Sequence, residues 1–107
     1  MKKLKILLVD DHAVVRNGIK LMLSQQKSFE PEIEEAEDGE IAIELAKKRK
    51  YDVILLDINL PKIGGISVAK TLTKHNSLTK ILALTMHKEE LMIKQMIAAV
   101  IYTVLIP

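Results

Sequence analysis

The chain has 107 residues, 49% hydrophobic and 28% charged, a balance that suits one soluble globular domain and excludes a disordered chain. It has no cysteine, which excludes disulfide frameworks, thiolate metal sites and cysteine nucleophiles together. A net charge of +2 is too slight to mark a nucleic-acid surface.

Leu4-Lys5-Ile6-Leu7-Leu8-Val9 is short, rich in branched residues and stopped by Asp10-Asp11. Such a near-continuous apolar run predicts a strand buried on both faces of a parallel sheet. From His12 to about Gln26 the period turns helical, with Val15, Ile19, Met22 and Leu23 on one face and Asp11 placed as the cap. Glu32 to Ala36 alternates weakly and is read as a second strand. Asp38-Gly39 suits a hairpin turn, but the spacing of Ile41, Ala42 and Leu45 predicts a helix. Lys47-Lys48-Arg49-Lys50 then sets positive charge at that helix's negative end. A solvated helix terminus is the simpler reading of this run, and a phosphate or nucleic-acid patch the alternative.

Val53-Ile54-Leu55-Leu56 predicts a third buried strand, ended by Asp57. Asn59-Leu60-Pro61-Lys62-Ile63-Gly64-Gly65 has the composition of an ordered loop. Ile66, Ala69, Leu72 and Thr73 predict a third helix, and Lys80 to Leu84 a fourth strand closed by Thr85. Lys88 to Ala99 predicts a fourth helix and Ile101 to Ile106 a fifth strand. This alternation predicts one α/β domain over residues 1–107, a parallel sheet with helices on both faces. The longest apolar run, Met96 to Ile106, falls short of the roughly 18 residues of a membrane span. Met1-Lys2-Lys3 precedes too short an apolar stretch for a signal peptide, so a cytoplasmic location is expected.

In open parallel sheets ligands bind beyond the carboxyl ends of the strands. Three predicted strands end in oxygen-bearing side chains there: Asp10 and Asp11, Asp57, and Thr85. Clustered carboxylates repel unless a cation neutralises them, and oxygen ligands favour a hard ion, Mg²⁺ or Mn²⁺. Taken singly, Asp11 reads more simply as a helix cap and Asp57 as a turn residue. Their combination in one short chain favours a site.

At these positions the sequence resembles a response-regulator receiver domain of two-component signalling. The resemblance rests on Val9-Asp10-Asp11, Leu56-Asp57, Leu60-Pro61 with Gly64-Gly65, and Leu84-Thr85. Asp11-His12-Ala13-Val14-Val15-Arg16 and Thr85-Met86-His87 are similar to the LuxR/NarL-type subfamily, whose receivers precede a helix-turn-helix. It runs from about Leu4 to Ala99. It implies a flavodoxin-like, doubly wound sheet of five strands in the order 2-1-3-4-5. It also implies that Asp57 accepts a phosphoryl group from a sensor histidine kinase. Asp10, Asp11, Asp57 and the backbone carbonyl of Asn59 would bind Mg²⁺ or Mn²⁺, and Thr85 would hydrogen-bond the phosphoryl group and switch its loop. The chemistry would be self-directed, phosphoryl acceptance and autodephosphorylation, with no separate substrate. Transcription regulation would belong to a longer parent protein, and no direct DNA binding is expected of this chain.

The family pattern departs at the carboxyl end. No lysine follows Lys94, the turn glycine expected near Ala99-Val100 is absent, and the last helix is missing. These departures support an alternative, a receiver-like docking or dimerisation module impaired in switching. An uncovered face including Leu7, Val53 or Leu55 is then expected, and with it a homo-oligomer. A haloacid dehalogenase-type phosphatase would need a second Asp where Asn59 stands. Nucleotide binding has no glycine-rich loop behind it. His12, His75 and His87 lack ligand spacing and read as surface residues, with His12 and His87 near the acidic pocket.

Overall fold

The computed structural model describes residues 2–58, 60, 62–75 and 78–84. Within them run β1 (Lys3–Val9), α1 (Ala13–Gln25), β2 (Glu30–Ala36), α2 (Gly39–Lys48), β3 (Val53–Asp57), α3 (Gly65–His75) and β4 (Lys80–Leu84). The strands form one parallel sheet in the order β2-β1-β3-β4, as expected for those four. The predicted fourth helix and fifth strand lie outside the described residues, as do Asn59, Thr85 and His87.

The continuous apolar runs of β1 and β3 follow from burial on both faces. Leu4, Ile6, Leu8, Val53 and Leu55 pack on one side with Ile19 and Leu23 of α1 and with Phe29. Leu7, Val9, Ile54 and Leu56 pack on the other with Ala42 of α2 and with Val68 and Leu72 of α3. Fully burying one such side chain is worth about 1.5–3 kcal/mol. Packing of this size holds α1, whose N-cap residue, His12, makes no side-chain cap hydrogen bond. Two expectations fail here. Leu7 lies on the α2 and α3 face, and Val53 and Leu55 are 0% exposed, because α1 and Phe29 pack over them.

β2 starts two residues before the predicted strand and carries Pro31. It pairs only with β1, so it is an edge of the described sheet, where proline is tolerated. Its glutamates take basic partners: Glu32 meets Lys3, Glu34 meets Arg49, and Glu35 meets Arg16 and Lys20. The hydrogen bond from Arg49 holds Glu34 below the usual glutamate range. α2 is capped by Asp38, whose carboxylate accepts from Ile41 N at 2.8 Å, and it ends with Lys47 and Lys48 in its last turn. The basic run lies exposed at the end of this helix, with Arg49 paired to Glu34.

Candidate functional site

Parallel register builds the site. Val9 of β1 stands opposite Leu56 of β3, so the next residues, Asp10 and Asp57, emerge side by side at the carboxyl edge of the sheet. Both are 2% exposed, whereas Asp11 and His12 are open to solvent. One ligand atom each from Asp10, Asp11, His12 and Asp57 lies within 4.8 Å of the others. Carboxylates this close repel one another in a partly buried setting, which favours a bound cation.

The turn after β1 is held by local bonds. Asp10 Oδ1 accepts from the His12 backbone N–H at 2.7 Å and lies 3.2 Å from His12 Nδ1. His12 Nδ1 also lies 3.0 Å from Asp11 Oδ1. The sequence placed Asp11 as the cap of α1, but the N-cap position belongs to His12 and Asp11 joins the carboxylate cluster instead. His12 is exposed and sits beside Asp10 and Asp11, the surface place near the acidic pocket that its position after the strand end predicts.

Gly65, at the start of α3, lies against the main chain of Asp57. Gly65 N donates to Ile58 O at 3.3 Å, and a Cβ at Gly65 would lie 2.5 Å from the Asp57 carbonyl oxygen. Leu60 is buried in the α2 and α3 core cluster, and Lys62 has φ 63°, the only non-glycine positive φ among the described residues. Asn59 and Pro61 of this predicted loop lie outside the described residues, and Gly65 opens α3.

The donor set fits a hard divalent cation: three carboxylates converge from two strand ends, with an imidazole nitrogen at the rim. Asp10, Asp11 and Asp57 could hold it. Of the predicted site residues, the structure brings these three together, and Asn59 and Thr85 lie outside its description. His75 belongs to α3, away from the strand end that carries Asp57.

Residues 6–106 match the family model of the response regulator receiver domain. Among curated relatives, the transcriptional regulatory protein DegU of Brevibacillus brevis is 40% identical over 88 residues, 82% of this chain and 37% of that protein. The chain thus spans little more than a third of that relative's length. A LuxR-family two-component response regulator from Aurantimonas sp. SI85-9A1 superposes with a TM-score of 0.71 at 30% identity, over 81% of this chain and 61% of that one. The response regulator TrrA of Thermotoga maritima, solved in complex with Mg²⁺-BeF, superposes with a TM-score of 0.71 at 36% identity, over 82% of this chain and 72% of that one. No helix among the described residues is long and apolar enough to cross a membrane.

Proposed function

The chain belongs to the response regulator receiver domain family of two-component signalling, and from that premise we propose that it is a phosphoacceptor switch with Asp57 as the acceptor. The convergence of Asp10, Asp11 and Asp57 within 4.8 Å is the observation that carries this reading. A carboxylate oxygen of Asp57 attacks the phosphorus of a histidine kinase's phosphohistidine. The P–N bond breaks, and its electron pair leaves on the imidazole nitrogen. A divalent cation, Mg²⁺ or Mn²⁺, supplies the positive charge that lets one anion approach another. Asp10, Asp11, Asp57 and the Asn59 carbonyl would hold that ion, Asp10 partly through water. Thr85 donates to a phosphoryl oxygen and draws in the loop that follows β4, a local charge event with a distant readout. The Mg²⁺-BeF complex of TrrA supports the choice of ion.

The partner is a sensor histidine kinase in the cytoplasm, and self-association of receivers is a second contact open to test by sedimentation. Contact with DNA belongs to a longer protein that carries this domain, as DegU's name suggests for that relative. The direct test is intact mass after treatment with a small phosphodonor, with and without Mg²⁺. One phosphoryl group should be gained only with the metal, and Asp57→Asn should abolish the gain. Phosphorylation of the Asp57→Asn variant would overturn the assignment. No gain in the wild type would favour the docking-module reading.

A further inference from the structure

We propose that Arg16 is a positioning residue for the metal site, fixing the Asp10–Asp11 peptide so that both carboxylates point at one ion. The proposal rests on the metal-dependent reading above and extends it to a residue outside the ligand set. Arg16 stands one turn into α1, its backbone N–H donating to His12 O at 3.1 Å. Its side chain is only 15% exposed. Arg16 Nη1 donates to the Asp10 carbonyl oxygen at 2.6 Å, and Arg16 Nε to Glu35 Oε1 at 3.0 Å. The Asp10 N–H donates to Ala36 O, the residue after Glu35, at 3.1 Å. The contacts close a ring: Asp10 is held by its N–H to the end of β2 and by its carbonyl, through Arg16, to the same place.

Fixing that carbonyl fixes the plane of the peptide joining Asp10 to Asp11, and therefore the direction in which Asp11 leaves the chain. A guanidinium suits this task because its rigid fork satisfies two acceptors at once, which an ammonium on a flexible stem does not. The local bonds of Asp10 and Asp11 to His12 hold the side chains of the turn, whereas the Asp10 carbonyl is held by Arg16. The structure also holds an internal control. Lys20 Nζ donates to the other oxygen of Glu35 at 3.0 Å from the next turn of α1, and it does not bond to Asp10. The hydrogen bonds from Lys20 and then Arg16 hold Glu35 below the usual glutamate range, against partial burial, so Glu35 is an anionic anchor at neutral pH.

The experiment titrates Mg²⁺ into the whole chain, followed by amide NMR shifts, with thermal unfolding in EDTA as a separate measure of fold. Groups behind metal ligands typically govern about tenfold or more in affinity. Arg16→Met should therefore weaken Mg²⁺ binding about tenfold, while its phosphorylation rate at saturating Mg²⁺ returns close to the wild-type rate. Arg16→Lys should recover part of the loss. Lys20→Met should keep wild-type affinity, as expected for a partly exposed ion pair. If Arg16→Met fails to fold, Glu35→Gln carries the test, with a several-fold weakening expected from the loosened anchor. Wild-type affinity in Arg16→Met, or an equal loss in Lys20→Met, overturns the proposal while leaving the phosphoacceptor reading in place. Absence of Mg²⁺ binding by the wild type overturns both, and is recognised before any variant is made.

Discussion

Gly65 is packed against the main chain of Asp57, so that a Cβ at position 65 would come within 2.5 Å of the Asp57 carbonyl oxygen and of Ile58 Cα. Neither neighbour is the loose end of a side chain, so backbone must move. Gly65→Ala should cost about 1–3 kcal/mol, the usual range for overpacking, and it should displace the segment that presents Asp57. Gly18, by contrast, lies exposed inside α1 with nothing within 4 Å of its Cβ position. Gly18→Ala should stabilise the protein by about 0.5–1 kcal/mol through helix propensity alone. Urea midpoints of the two variants should move in opposite directions. A wild-type midpoint for Gly65→Ala would show that the loop has room to spare.

Asp11→Ala separates binding from stability. Asp11 is exposed and shares a cluster with Asp10 and Asp57, so its removal relieves charge repulsion in the metal-free protein. The same change deletes an anionic ligand, and Mg²⁺ affinity should fall at least about tenfold. The melting temperature in EDTA should hold or rise. A variant that melts lower in EDTA yet binds Mg²⁺ normally would make Asp11 a structural residue.

Asp38 is a structural acid of the kind Asp11 resembles in sequence. Its carboxylate caps α2 at Ile41 N, and Asp38→Ala should cost about 1 kcal/mol with no effect on Mg²⁺ binding. Calorimetric unfolding checks the first half and metal titration the second.

That pair shows where the sequence was legible and where it was not. The strands of Leu4 to Val9 and Val53 to Leu56 could be read because burial on both faces leaves no place for polar residues. Once they lie parallel, register alone brings Asp10 beside Asp57, so those site residues were legible too. Which acid caps α1 was not legible, because Asp11 and His12 compete for one turn and geometry decides. The side of the sheet that Leu7 faces depends on a one-residue phase in β1, which a continuous apolar run cannot specify. The start of β2 was hidden by Pro31 and four glutamates, a composition admissible at an edge and unfavourable elsewhere. The ring through Arg16 joins residues far apart in sequence and has no local signature.

The alkaline limit of stability should be set in part by Tyr51. This side chain is 5% exposed on the α2 and α3 face, and burial, with Glu34's negative charge second, pushes its phenol from 10.0 up to about 12. Below pH 10 the phenol is neutral in folded and unfolded chains alike, and its contribution to stability is intact. Between about pH 10 and 12 the unfolded chain ionises first, so unfolding is favoured progressively. A shift of this size corresponds to a loss on the order of 2 kcal/mol across that window. Lysines titrate in the same range, so the comparison that isolates Tyr51 is the difference between wild type and Tyr51→Phe. The variant keeps the ring's packing and loses the ionisable group, so its stability should fall less steeply from pH 10 to 12. Parallel pH profiles for the two proteins would show that the Tyr51 phenol ionises as readily in the folded chain as in the unfolded one.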